Sequence, residues 1–110
     1  MTYIDGSKAT GRIDGDLTVR NLLTRPVSEN FSIAVARLDG EHPISVSLQS
    51  DRAYYITSGQ AEVIVGNESH SVRTGDVVYI PKGTRHGLSG NVEYVVVNAP
   101  PFDPSKESQG

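Results

Sequence analysis

Cysteine is missing from this 110-residue chain. That excludes disulfides, thiolate nucleophiles and cysteine-type zinc sites, and leaves His, Asp, Glu and Tyr to carry any chemistry. There is no excess of positive charge either: ten Lys and Arg stand against thirteen Asp and Glu, a net charge of -3. The basic residues are scattered from Lys8 to Lys106 with no stripe that could track a phosphate backbone, which argues against a nucleic-acid partner. No apolar run approaches the ~18 residues of a membrane span, and the N-terminal MTYIDGSKATGRIDG has neither a basic region nor an apolar core of the kind that targets secretion. The expectation is a soluble cytoplasmic protein without a membrane partner. Helical periodicity is absent as well, since no window carries a convincing 3.6-residue stripe.

What is present is alternation. Apolar residues recur with period two in LTVRNLL (17–23), FSIAVARL (31–38), ISVSL (44–48), AYYIT (53–57), AEVIV (61–65), VVYI (77–80) and VEYVVV (92–97). Turn signals separate them at Asp39-Gly40, Ser58-Gly59, Gly66-Asn67, Thr74-Gly75-Asp76, Lys82-Gly83 and Gly90-Asn91, because Gly and Asn tolerate the positive φ of tight hairpins. Many short strands at this spacing predict an all-β sandwich or barrel. A chain of this length builds one core. The expected organisation is a flexible arm over residues 1–16, a barrel over 17–99 and an extended tail over 100–110, anchored only by Phe102. In the second segment Phe31, Ile33 and Val35 share a bulky face and Ser32, Ala34 and Ala36 a small one. The small face is expected to be a close contact between sheets, with a cavity wall as the alternative.

The stretch GDVVYIPKGTRHG (75–87) raises the sharpest functional question, because a four-residue apolar run ends in a proline, a glycine and then a lone histidine. Gly75, Pro81, Gly83, His86 and, at looser spacing, Asn91 resemble the second motif of the cupin superfamily. YYITSGQAEVIVG (54–66) resembles the run through the closing glycine of the first motif, with Gly59 in that place. The resemblance covers about residues 31–98. It implies a double-stranded β-helix, or jelly-roll barrel, usually a homodimer, with a small-molecule pocket at the barrel mouth.

In metal-binding cupins the first motif supplies His-x-His and a Glu, and the second motif the last His. By this resemblance those positions fall on Ser45, Ser47, Arg52 and His86, so only His86 matches. A guanidinium in place of a carboxylate removes both a donor and the charge balance of a cation site. No cofactor is therefore expected and a divalent metal is not favoured, with Asp51 and His42 as outside candidates for ligands. Alternation groups Ser45, Ser47 and Gln49, and also Arg52, Tyr54 and Ile56, and the resemblance turns both groups inward. Such a lining is rich in donors and suits an anionic or oxygen-rich ligand, with Arg52, Ser45, Ser47 and Gln49 as binding residues.

The favoured functional reading is a metal-independent isomerase, epimerase or cyclase with His86 as base and Tyr54 as acid. No carboxylate to orient His86 is evident, Asp51 and Glu62 being near only in sequence. One alternative is a non-catalytic binding or sensing module, and another a metal-dependent dioxygenase or lyase with altered ligands. In a purely structural alternative, His86 bonds a turn carbonyl, Arg52 pairs with a buried acid and the serines satisfy backbone. His42 reads as a surface residue at a strand edge, and His70 as a solvated hairpin residue.

Overall fold

The computed structural model describes residues 2–109. Its strands are β1 (Gly11–Asp14), β2 (Leu17–Leu23), β3 (Ser32–Ser47), β4 (Asp51–Val65), β5 (Glu68–Arg73), β6 (Val77–Ile80), β7 (His86–Ala99) and β8 (Glu107–Gln109), all pairing antiparallel. The hydrogen-bonded order is β1-β2-β3-β7-β4-β5, with β6 also on β4 and β8 also on β3. Strand β7 therefore lies between β3 and β4 and pairs with both over nearly its whole length. This is the jelly-roll architecture that the resemblance implied, built from the β-strands that the period-two pattern predicted.

Three of the anticipated turns are bends inside long strands. The segments 31–38 and 44–48 join into β3, 53–57 and 61–65 join into β4, and 92–97 is the centre of β7. Gly40 pairs with Gly90 across β3 and β7, and Gly90 pairs with Ala61 of β4, one residue from the β4 pairing of Gln60 with Asn91. Gly59 (φ 81°) and Gly90 (φ 144°) hold backbone conformations that side chains resist, close to the register shift between Ile56 and Ser58. Glycine here lets a continuous strand turn from one sheet to the other. A Cβ on Gly59 would overlap the Asn91 carbonyl oxygen. Strain at positive φ and the steric conflict together predict that Gly59→Ala costs about 3 kcal/mol or more in urea unfolding. A loss below 1 kcal/mol would mean that the strand does not turn there.

The termini are more ordered than the sequence suggested. Residues 11–14, expected in a loose arm, pair with β2 of the same chain. The tail carries a short 3-10 turn at Pro104–Lys106, and β8 pairs with Ser45–Ser47 of β3. Strand β3 runs well beyond β2 and leaves an edge that the C-terminal residues complete, a tertiary gain that local composition does not register.

Inward residues change in kind along each strand. Leu38, Ile56, Val63 and Val92 are fully buried and fill one end of the barrel. Fully burying such side chains contributes about 1.5–3 kcal/mol each. At the other end the same faces present Ser32, Ala34 and Ala36 of β3, Arg52 and Tyr54 of β4, and Tyr94, Val96 and Asn98 of β7, around a cavity of ≈ 350 Å³. The small face of β3 is thus a cavity wall. Serine and alanine leave open the volume that Leu38 fills two residues further on.

Candidate functional site

Arg52 is the hub of the cavity floor. It faces Asn98 across β4 and β7 and is 6% exposed. Its Nε donates to Asn98 Oδ1 at 2.6 Å, Nη1 to His86 Nε2 at 3.0 Å, and Nη2 to Glu107 Oε1 at 2.8 Å. All three nitrogens are engaged and the charge is paired with a carboxylate from β8, as burial of a cation requires. The donor-rich lining that was expected thus also contains a carboxylate, Glu107. Phe102 packs close by: its ring centroid lies 5.9 Å from the Arg52 guanidinium carbon and 5.3 Å from that of Arg12, and its N–H donates to Ser32 Oγ.

His86 begins β7 and is 1% exposed. Its Nδ1 lies 2.9 Å from the Thr84 carbonyl oxygen. A carbonyl can only accept, so Nδ1 carries the hydrogen and Nε2 offers its lone pair to Arg52. Burial, chiefly, with the nearby Arg52 and His42, pushes its pKa down to about 4 against the partial opposition of Thr84. His86 is thus a neutral imidazole behind the wall, with both nitrogens committed. These are the contacts of the structural alternative, and the orienting group is a backbone carbonyl rather than Asp51 or Glu62.

A divalent ion does not fit this arrangement. The lone pair that His86 would lend to a metal receives an Arg52 N–H, and Ser45 and Ser47 hold the other positions. Among the described residues no three His, Asp or Glu side chains converge.

The remaining sequence candidates separate. Tyr54 and Ser45 reach the cavity. Ser47 is buried and its Oγ accepts from the Ser50 N–H, closing the β3–β4 turn. Gln49 lies in that turn, away from the cavity, because alternation ends where the strand does. Asp51 faces outward and accepts from the Lys82 N–H. His42 departs from its expected place at the surface: it lies on the cavity wall, half-buried, with Nδ1 fully buried and without a hydrogen-bond partner. The irregular register between His42 and Ser45 turns it inward. Burial holds its pKa below the usual histidine value, with the Asp14 carboxylate the largest opposing influence.

Tyr54 and Tyr94 pack at 4.7 Å between centroids, and Tyr54 meets the His86 ring edge-on at 6.4 Å. Burial raises both phenol pKa values, so both stay protonated. Tyr94 and Asn98 were not among the expected site residues, although their shared parity in VEYVVVN was a signal for them. Glu107 gave no signal in a polar tail.

One eight-stranded antiparallel sheet rolled over a core, with a cavity of small-molecule size at one end, defines a jelly-roll barrel. The cupin domain family matches residues 47–98. SCO3923 of Streptomyces coelicolor is 34% identical over 76 residues, 66% of this chain and 72% of that protein. Among solved structures, a single-substitution variant of Streptomyces PAC13 with uridine superposes with a TM-score of 0.90 at 17% identity, over 100% of this chain and 91% of that one. A variant of the Bacillus subtilis oxalate decarboxylase OxdC superposes with a TM-score of 0.82 at 25% identity, over 94% of this chain and 31% of that one. The chain belongs to the cupin superfamily.

Proposed function

We propose that this cupin is a metal-independent acid/base enzyme acting on an oxygen-rich small molecule of nucleoside or sugar size. The observation that carries this reading is that the lining of one cavity contains both a histidine held neutral by burial and phenols held protonated by burial. His42 takes the part of base that the sequence suggested for His86, since its ring is not committed to Arg52. Tyr54 takes the part of acid. A base that removes a C–H proton next to a carbonyl, with an acid that returns a proton to carbon or to a departing hydroxyl, performs isomerisation or loss of water respectively. The fold likeness to Pac13, a nucleoside dehydratase, supports the size of ligand and the class of chemistry.

The test is calorimetric titration with uridine and with nucleoside or sugar analogues that carry a carbonyl next to a C–H bond, followed by chromatography of the mixture. Turnover is expected, and His42→Gln is expected to lower it by about 10²–10⁴ while leaving binding within a few-fold. Activity should fall as pH drops through the depressed His42 pKa, because the protonated ring cannot accept a proton. Saturable binding with every ligand recovered unchanged would replace this reading with that of a binding module.

A further inference from the structure

Two guanidinium groups lie against the Phe102 ring, and only one of them is engaged. Arg52 has its charge met by Glu107 and all three nitrogens bonded. Arg12, on β1, lines the same cavity from its exposed rim. Its guanidinium carbon lies 5.3 Å from the ring centroid, and among the described residues no carboxylate stands within ion-pair distance of it. A contact with an aromatic face steadies a long cationic side chain and uses none of its N–H groups. The in-plane donors of Arg12 are left for a planar or tetrahedral oxyanion. Arg12 stands opposite Val19, which makes Asn21 its diagonal neighbour on β2, and Asn21 also lines the cavity. Two further donors of an amide thus face the same part of the mouth.

We propose that Arg12, with Asn21, is the subsite for an oxyanion that the ligand carries, a phosphate or a carboxylate held at the cavity mouth. The inference rests on the reading of this cavity as a ligand site, and narrows the ligand to an acid or phosphate ester of nucleoside or sugar size. Arg52, the residue expected to meet such a group, is barred from it because Glu107 already neutralises its charge. Strand β1 also sets the direction of binding. Asp14 shares the cavity face with Arg12, two residues along and so about 6.7 Å away, and the two form no ion pair. Asp14 is the charged group that acts most strongly on His42. Its carboxylate repels an anion and accepts from hydroxyl groups. The rim therefore draws the charged end of a ligand to Arg12 and its hydroxyl-bearing end toward Asp14 and His42.

The test follows the Arg12 Nε–H resonance of the full chain by NMR, at constant ionic strength, during titration with inorganic phosphate, acetate, ribose, ribose 5-phosphate and ribonate. Phosphate or acetate should move that resonance saturably. Ribose 5-phosphate or ribonate should bind about ten-fold more tightly than ribose, the worth of one charge-assisted hydrogen bond, and whichever does so identifies the oxyanion. Arg12→Gln should erase that gain with an unchanged circular dichroism spectrum, as expected for a residue exposed at the rim. A resonance that neither anion moves overturns the proposal, and so does a gain that survives Arg12→Gln. Either result leaves the acid/base reading of His42 and Tyr54 in place. Conversely, ligands that bind through Arg12 but are recovered unchanged would remove the acid/base reading and leave this subsite standing.

Discussion

Arg52→Met is expected to lower the free energy of unfolding by about 3–5 kcal/mol, the cost of removing one member of a buried ion pair. Methionine matches much of the length of the side chain, so the loss is polar rather than volumetric. It strands the Glu107 carboxylate, Asn98 Oδ1 and His86 Nε2 together, three groups that now share one guanidinium. For a domain with a total stability of about 5–15 kcal/mol the change is large. Glu107→Gln should cost less, about 1–3 kcal/mol, since an amide oxygen can still accept from Nη2. Urea unfolding followed by circular dichroism measures both. If Arg52→Met costs under 1 kcal/mol, the guanidinium does not organise the cavity floor.

Acid should destabilise the fold through His86. Its ring is buried and neutral with a pKa near 4, whereas an unfolded histidine titrates near ~6.5. The folded state therefore binds this proton less well than the unfolded chain. The contribution is complete above pH ~6.5, declines as pH falls from there toward 4, and is gone below that. The displacement corresponds to about 3 kcal/mol over that window. His42, also depressed, adds in the same direction. His86→Gln keeps one acceptor for Arg52 and one donor for Thr84 without a titrating proton. Unfolding free energies measured between pH 4 and 7.5 should slope less steeply in this variant than in the wild type, and parallel slopes would remove His86 as the source.

The two predictions rest on parts of the molecule that differed in how plainly the sequence announced them. Period-two alternation located the barrel strands because one face of each meets the core, and the spacing from Gly75 to His86 marked the family. Arg52 and Tyr54 were legible because parity along β4 follows directly from that alternation. Continuity was harder to see. Gly40, Gly59 and Gly90 carry the signature of a turn, yet a strand that bends between sheets needs the same backbone freedom, and only pairing with β7 distinguishes the two.

The histidines show a second limit. His86 stands in a recognisable motif and His42 does not, but the surroundings of neither can be read from the local sequence. The first is fastened by an arginine 34 residues away and by a carbonyl two residues away. The second is turned inward by a local slip in strand pairing that leaves no compositional trace. Glu107 is the extreme case: it sits among Ser, Lys and Gln, and its importance comes wholly from where β3 offers a free edge.

Strand β7 is held on both sides by long neighbours, so the barrel has no weak seam along that strand. Whatever loosens the cavity end must strain hydrogen-bond ladders that run on, past the shift between Ile56 and Ser58, into the packed end. A guest seated among the aromatic rings would thus tighten amides far beyond its own reach, and occupancy should register as slower hydrogen exchange throughout the domain.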